Sequence, residues 1–290
     1  MNIIEQGDAR RIGGVIRSAR KLRGLSQASL SRDLQIAQAT FSGIEQGRLA
    51  ISASHWFQLA RVLRIPPQHS FEEGIIDNLD DMSDAEDTGF KIPKRYLMNA
   101  VSTLRGTQPF FQLFIERRGE AALNAFLKER LKVDPDICRI YSLRVSLRFT
   151  LDVAAELVRS GHLNMHTLGD VAHMLRNPQT HGRLASVYRQ AQDRVTLIET
   201  LIENMAAYES NFQYSIIHRS ENTLDIESKP ADFMRYFSYR EEELPNIVNL
   251  YRSSFIEGFS QYLGDSQPIQ VKIIPSSTKR KTECIFRLTI

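Results

Sequence analysis

Side chains able to read nucleic-acid bases stand close together in the segment LSQASLSRDLQIAQATFSGIEQGR, residues 25–48. The amide of Gln38 can form two hydrogen bonds with adenine, and Ala39 or Thr40 can contact the methyl group of thymine. Ser42 lies one helical turn further along the same face. These residues offer the chemistry of base recognition in the major groove of DNA.

Other side chains of this segment suit the phosphate backbone rather than the bases. Gln27 stands near the start of the preceding helix, and we expect its amide to point toward a phosphate. Lys21, Arg23 and Arg48 carry positive charges that would neutralise phosphates. The predicted DNA-contacting residues are Gln27, Gln38, Ala39, Thr40, Ser42, Gly43 and Arg48.

Helical periodicity and helix-end signals predict five short helices that position these side chains. The first, over residues 10–23, has one apolar face and one basic face. Ser26 is a suitable N-cap for the second, and the third, over about residues 37–46, carries the base-reading face. A fourth helix is predicted over residues 52–63 and a fifth near Phe71. Two short helices joined by a tight turn, the second with a polar outer face, predict a helix-turn-helix.

The quoted segment, with RSARKLRG before it and FQLARVLRI after it, resembles the phage-repressor helix-turn-helix family of Cro/C1 or xenobiotic-response-element type. The resemblance implies sequence-specific binding to double-stranded DNA. Three positions depart from the family pattern. Gln35 replaces a turn glycine and would have to adopt a left-handed conformation. Ala37 replaces a capping residue, at a cost of about 1 kcal/mol, and Ser31 replaces a small apolar residue.

Charge divides the chain into unequal parts. The net charge is +3 over 290 residues, but residues 1–70 hold ten Lys/Arg against four Asp/Glu. Residues 71–90 hold eight Asp/Glu and no Lys/Arg. The basic first part favours a polyanion partner. We expect a helix-turn-helix domain over residues 1–76, an acidic linker over residues 77–92 and a second domain over residues 93–290. The linker is expected to be solvated; alternatively, it imitates DNA and covers the basic face.

The second domain is predicted to be α+β. Helical periodicity recurs between about residues 94 and 207, and FQYSIIHR and TLDIES then alternate as a hairpin would. An amphipathic helix over residues 241–263 follows, and PIQVKIIP and ECIFRLTI close the chain as strands. We expect a helical half, then a small antiparallel sheet packed against the 241–263 helix.

An apolar pocket is expected between that helical half and the sheet, because aromatic residues of buried type are numerous there. They include Phe212, Phe233, Phe237, Tyr251, Phe255 and Phe259. A mostly apolar cavity with a few converging polar groups is the usual form of a small-molecule site. Its ligand would control DNA binding, and the 241–263 helix would be the element that moves.

Two distant resemblances bear on the ligand. Residues 114–230 are loosely similar to the sensing domain of some AraC-type regulators, which implies a small-molecule sensor. YFSYR resembles the Tyr-x-Ser-x-Arg motif with which heme–nitric oxide/oxygen binding domains hold heme propionates, and this implies Tyr236, Ser238 and Arg240 as ligand-binding residues. The axial histidine is missing from its expected place, since His218 lies shortly upstream in a predicted strand. Heme is therefore a minor alternative.

The remaining composition argues against several other classes. No apolar run is long enough to span a membrane, and MNIIEQGDARR lacks the apolar stretch of a signal peptide, so we expect a cytoplasmic protein without a membrane partner. Cys138 and Cys284 fit buried free thiols. His162 and His166 fall in a predicted loop, and no metal site is expected. Since no catalytic motif is present, neither an enzyme activity nor a resident cofactor is expected.

Together these patterns predict a sequence-specific DNA-binding transcription regulator of bacterial type. Its C-terminal domain would sense a small molecule, form a homodimer, or do both, with the dimer contacts mainly beyond residue 90. Two alternatives stay open. One is a protein-interaction scaffold that the helix-turn-helix only localises, and the other is a heme-based gas sensor.

Overall fold

The N-terminal part of the fold consists of five helices. The structure is a computed structural model that describes residues 3–78, 88–164, 168–236, 244–263, 269–275 and 283–290. The helices are α1 (Ile3–Leu22), α2 (Gln27–Asp33), α3 (Gln38–Glu45), α4 (Ala53–Leu63) and α5 (Pro67–Glu73). Their order agrees with the helical periodicity of the sequence, and the tight turn between α2 and α3 forms the predicted helix-turn-helix.

The turn between α2 and α3 has both irregularities predicted from its sequence. Gln35 adopts a left-handed φ of 55°, and Ala37 provides no side-chain cap for α3. The preceding helix is capped, because the hydroxyl of Ser26 accepts a hydrogen bond from the backbone N–H of Ser29 at 3.0 Å. Local signals therefore define α2 well, whereas the position of α3 depends more on its buried contacts.

The buried face of α1 forms the centre of the N-terminal core. Val15, Ile16 and Ala19 are fully buried. They belong to one cluster with Leu34, which follows α2, and with apolar side chains of α2, α3 and α4, namely Leu30, Phe41, Ile44, Trp56, Leu59 and Leu63. Burial of an apolar side chain of this size contributes about 1.5–3 kcal/mol. This packing fixes α3 against α1 and leaves the opposite face of α3 toward solvent.

The larger C-terminal part begins with a helical half, as predicted. Its helices are α6 (Leu104–Arg118), α7 (Glu120–Ala125), α8 (Leu147–Arg159), α9 (Leu168–Leu175), α10 (Leu184–Tyr188) and α11 (Arg194–Glu203). A two-residue antiparallel pair, β1 (Ser102–Thr103) with β2 (Arg144–Val145), joins the segments that precede α6 and α8. No helix within the described ranges is long and apolar enough to cross a membrane.

A four-stranded antiparallel sheet follows the helical half. Its strands are β3 (Phe212–Arg219), β4 (Thr223–Pro230), β5 (Gln270–Pro275) and β6 (Cys284–Thr289), in the order β3-β4-β6-β5. The last helix, α12 (Leu244–Gly258), packs on this sheet, with Phe255 and Ile256 in one cluster with Leu224 and Phe286. The predicted α+β architecture is confirmed, including the hairpin and the two closing strands.

The N-terminal and C-terminal parts meet through backbone pairing as well as through a shared core. Ile76 pairs with Ile140, and the backbone N–H of Ile76 donates to the carbonyl of Arg139 at 2.7 Å. Apolar residues of both parts belong to a single buried cluster. The helix-turn-helix therefore rests directly on the second part of the chain.

The acidic segment between the two parts is buried where it begins. Asp77 and Asn78, which the sequence pattern assigns to the solvated linker, are at most 9% exposed. Phe90, near the other end of the predicted linker, is buried as well. Asp77 is held by an ion pair with Arg105 of α6. Residues 79–87, which carry most of the acidic charge, lie outside the described residues.

Candidate functional site

The first turn of α3 presents the predicted base-reading side chains to solvent. Gln38, Ala39 and Thr40 are all exposed, and so is Arg48 just beyond the end of the helix. Ser42 is half-buried, and its hydroxyl accepts a hydrogen bond from the amide of Gln46 at 3.1 Å. Residues at the start of α3 therefore form the accessible part of the predicted contact set.

Gly43 is buried, and its backbone carbonyl holds the segment that follows α3. A Cβ atom at this position would lie 2.9 Å from Cδ1 of Leu49, the end of an exposed side chain that can move aside. The segment after α3 folds back on the helix because the backbone N–H groups of Arg48 and Leu49 both donate to the carbonyl of Gly43, at 2.9 Å and 3.2 Å. The conformation of this segment in turn determines where Arg48 is presented.

Gln27 contacts a buried carboxylate rather than open solvent. Its amide Nε2 donates to Oε2 of Glu45 at 2.7 Å. Glu45 is 2% exposed and also accepts from Nε of Arg20 at 2.6 Å and from its Nη2 at 3.2 Å. Side chains of α1, α2 and α3 thus converge on one carboxylate, which stabilises the angle between the two helices of the motif. Periodicity carries no signal for this network, because its three members come from different helices.

Two of the three cations predicted for phosphate contact are engaged elsewhere. Lys21 donates from Nζ to Asp134 at 2.6 Å and to Asp136 at 2.7 Å. Arg23 donates from Nε to the carbonyl of Leu63 at 3.0 Å. Of these three cations, Arg48 alone is exposed, and the other two are half-buried.

An ionic cluster holds α1 against the C-terminal part. Arg17 forms two hydrogen bonds with Asp136, each of 2.8 Å, and the hydroxyl of Ser18 donates to the backbone carbonyl of Asp136 at 2.9 Å. Burial opposes ionisation of Asp136, but hydrogen bonds from Arg17 and Lys21 outweigh it and hold the pKa of this carboxyl below its usual value. The cluster is formed by ionised groups and resists separation of the two parts.

Of the three residues in the predicted Tyr-x-Ser-x-Arg site, the structure describes only the first. Tyr236 ends a 3-10 turn, Asp232–Tyr236, and nothing of its side chain is described. Ser238 and Arg240 lie outside the described residues, as does Phe237.

A cavity of about 70 Å³ lies between the helical half and the sheet, where an apolar pocket is predicted. Phe212, Tyr251 and Phe255, three of the aromatics expected there, line it. Other apolar lining residues are Phe110, Leu147, Leu151, Ala154, Met205, Val248 and Ile256. Phe259 packs instead on His181, with ring centroids 4.7 Å apart. The cavity is mostly apolar, as small-molecule sites usually are.

Three polar side chains of the cavity wall form a chain of hydrogen bonds. Nε of Arg252 donates to the hydroxyl of Tyr214 at 2.9 Å, and this hydroxyl donates to Oε1 of Glu209 at 2.6 Å. The second oxygen of Glu209 accepts from the backbone N–H of Asn211 at 2.7 Å. Burial raises the pKa of Glu209, and the nearby charge of Arg252 opposes this effect. Periodicity carries no signal for this set, because Arg252 lies 38 residues further along the chain than Tyr214.

His181, which contacts the lining residue Tyr208, is not available as a ligand. Its Nδ1 lies 2.8 Å from the hydroxyl of Tyr208, and its Nε2 lies 2.7 Å from the carbonyl of Leu175. Burial lowers the pKa of His181 to about 4, so the ring is neutral at physiological pH. Both nitrogens are engaged, and the ring belongs to an aromatic cluster rather than to the cavity lining.

The described lining of the cavity does not fit an axially coordinated heme. No histidine belongs to it. Each lining tyrosine has a hydrogen-bonded hydroxyl: Tyr208 with His181, Tyr214 with Glu209 and Arg252, and Tyr251 with the carbonyl of Gly106 at 2.8 Å. An axial ligand would have to give up one of these bonds.

Comparison with known families supports the N-terminal site. A family model described as "Helix-turn-helix" matches residues 16–69, which run from the last third of α1 into the first turn of α5. This region contains all the predicted base-reading residues. The chain thus carries a helix-turn-helix at its N-terminus, as the sequence resemblance predicts.

Likeness to whole proteins is much weaker. No curated protein matches the chain. One similar solved structure comes from work on changing heme redox potential through protein-induced porphyrin distortion. It is 12% identical to this chain with a TM-score of 0.47, and the aligned region covers 65% of this chain and 99% of that protein's chain. Another is a substituted H-NOX protein with 13% identity and a TM-score of 0.46, and the aligned region covers 64% of this chain and 94% of that protein's chain. Likeness at this level does not identify a ligand.

Proposed function

We propose that this protein is a sequence-specific DNA-binding transcription regulator whose C-terminal part binds a small molecule. The observation that carries the proposal is the exposed first turn of α3, Gln38–Thr40, on a helix-turn-helix braced by the buried carboxylate of Glu45. A helix presented in this way fits the major groove, where its N-terminal side chains reach base edges.

Control by a small molecule is proposed because the cavity wall adjoins the junction between the two parts. Gly106 and Tyr208 line the cavity. Arg105, next to Gly106, forms a fully buried ion pair with Asp77 and donates from Nη1 to the carbonyl of Ala207 at 2.7 Å. Its guanidinium also lies 5.6 Å from the ring centroid of Tyr208. A ligand that moves this wall would therefore act on the segment that follows the helix-turn-helix.

The second oxygen of Asp77 is also engaged, which makes the junction a single hydrogen-bonded unit. It accepts from the backbone N–H of Arg183 at 2.7 Å. Removing one partner of a buried ion pair costs about 3–5 kcal/mol, so the junction resists partial disruption. A change in DNA affinity requires only about 1–3 kcal/mol of coupling between the sites. Coupling of this size is within the range that a shift of the junction could supply.

Selection from a random DNA pool tests the proposal. The full chain should enrich a motif with two half-sites about one helical turn apart, because a homodimer of such a motif reads two half-sites. A matched selection with a Gln38→Ala, Thr40→Ala variant is the control. Enrichment of no motif by the unmodified chain, or of the same motif by the variant, would refute base reading by α3.

A further inference from the structure

The small polar side chains that line the cavity are already hydrogen-bonded to other groups of the protein. The hydroxyl of Thr150 on α8 lies 2.7 Å from the hydroxyl of Thr107 on α6. The hydroxyl of Ser102 accepts a hydrogen bond from Nδ2 of Asn211 at 2.6 Å. Both lining hydroxyls therefore have partners without any contribution from a ligand.

The tyrosines and the carboxyl group of the wall are paired as well. The hydroxyls of Tyr208, Tyr214 and Tyr251 each have a hydrogen-bond partner. Each oxygen of Glu209 has a donor of its own, one from Tyr214 and one from the backbone of Asn211. A polar ligand would have to break one of these bonds, and a buried polar group that loses its partner is costly. The wall therefore disfavours polar ligands.

The guanidinium of Arg252, which belongs to the wall, is not available to a ligand either. Nε donates to the hydroxyl of Tyr214, and Nη1 donates to Oδ1 of Asn249 at 3.1 Å. Nη2 has no partner within the described residues, but it has practically no accessible surface. The group lies 3.9 Å from the ring centroid of Phe212 and 5.0 Å from that of Phe286, and such rings stabilise a cation. A ligand in the cavity thus meets no accessible unpaired nitrogen of this guanidinium.

Hydrocarbon side chains supply most of the remaining lining. Phe110 belongs to α6, Leu151 and Ala154 belong to α8, and Phe255 belongs to α12. Burial of hydrocarbon surface is favourable and requires no directional bond. Cavities with apolar walls stay dry and take up apolar molecules such as benzene. The cavity therefore favours a ligand that needs no hydrogen bond.

We infer that the cavity binds a small uncharged hydrocarbon. A volume of about 70 Å³ holds roughly five to seven water-sized groups, the size of cyclopentane, benzene or toluene. The lining rings of Phe110 and Phe255 both contact the ring of Tyr251, and a further ring can pack on their edges and faces. The inference names the ligand class for the proposed function and rests on that function only for the effect of the hydrocarbon on DNA binding.

Calorimetric titration of the full chain with benzene, toluene and phenol tests the inference. We expect one benzene or one toluene per chain. Phenol has nearly the same shape as toluene but carries a hydroxyl in place of the methyl group, and it should bind at least tenfold more weakly. Equal affinity for toluene and phenol would overturn the inference, as would absence of binding by both benzene and toluene.

Two variants locate the bound hydrocarbon. Ala154→Leu places bulk in the apolar wall and should abolish toluene binding, whereas Ala121→Leu, at an exposed position of α7 outside the cavity, should not change it. Retained binding by Ala154→Leu would place the hydrocarbon elsewhere. Leu151→Ala covers the case in which Ala154→Leu does not fold. It enlarges the cavity and should bind butylbenzene at least tenfold more tightly than the unmodified chain, and equal binding would contradict this location.

Operator affinity is measured separately, with and without toluene. Binding of toluene without any change in operator affinity would refute the proposed control of DNA binding and leave the ligand class intact. Specific operator binding by a chain that takes up neither benzene nor toluene would refute the ligand class and leave base reading by α3 intact.

Discussion

Replacing Glu45 with glutamine should strongly destabilise the N-terminal part. The substitution keeps the size of the side chain and removes the charge that faces Arg20 at 2.6 Å and 3.2 Å. Both hydrogen bonds from Arg20 are charge-assisted, and such bonds contribute about 1.5–3 kcal/mol each. Loss of one partner of a buried pair costs about 3–5 kcal/mol. Because the glutamine oxygen still accepts one of these bonds, we expect a loss of about 2–4 kcal/mol.

The single tryptophan of the chain makes this loss measurable. Trp56 is buried on α4, so its fluorescence in a urea titration reports unfolding of the N-terminal part. Glu116→Gln, at an exposed position on α6, is the matched control and should change the free energy of unfolding by less than about 0.5 kcal/mol. In an Arg20→Gln background, the cost of Glu45→Gln should be clearly smaller. A loss no greater than that of the control would refute the bracing role of Glu45.

Three other predictions concern pH and assembly. The pKa of Asp136 is lowered in the folded chain, so the contribution of this carboxylate to the free energy of unfolding is complete above the unfolded pKa of about 3.9 and is lost as the pH falls through the lower folded pKa. The free energies of unfolding of wild type and Asp136→Asn, measured in urea, should therefore converge below pH 4, and an unchanged difference between them would contradict this. The pKa of His181 is lowered from its usual 6.5 to about 4, so the free energy of unfolding should be highest above pH 6.5 and should fall by about 3 kcal/mol as the pH drops to 4. His181→Gln should make the free energy of unfolding less dependent on pH, and an equal pH dependence in this variant would exclude His181 as its source. We also expect light scattering of the full chain to give a homodimer, and a monomer at micromolar concentration would require dimerisation on DNA.

The sequence identified the helix-turn-helix because its signals are local. Apolar spacing fixes the buried face of α1, Ser26 caps α2, and the irregular positions Gln35 and Ala37 could be assigned from the turn alone. The alternating strands and the amphipathic α12 were predictable for the same reason. The exposed set Gln38–Thr40 follows directly from the periodicity of α3, since residues opposite its buried face must point outward.

Contacts between distant segments were not predictable in this way. Glu45 looks like an ordinary polar residue of the helix-turn-helix segment, and only the packing of α1 on α3 shows that it meets Arg20. Asp77 appears to begin an acidic linker, yet Arg105 neutralises it in the interior. Arg252 lies in a strongly amphipathic helix, where a charged residue is expected to face solvent. Its burial is decided by the rings of β3 and β6, which the sequence of α12 does not reveal.

The central claim, that α3 reads DNA bases, is tested most directly by fluorescence anisotropy on the selected operator and on random DNA at one salt concentration. Gln38→Ala should weaken operator binding by about 1–3 kcal/mol and leave affinity for random DNA nearly unchanged. Gln190→Ala, at an exposed position between α10 and α11, should change neither affinity. Equal losses on operator and random DNA, or no loss on the operator, would contradict the assignment of Gln38 to base recognition.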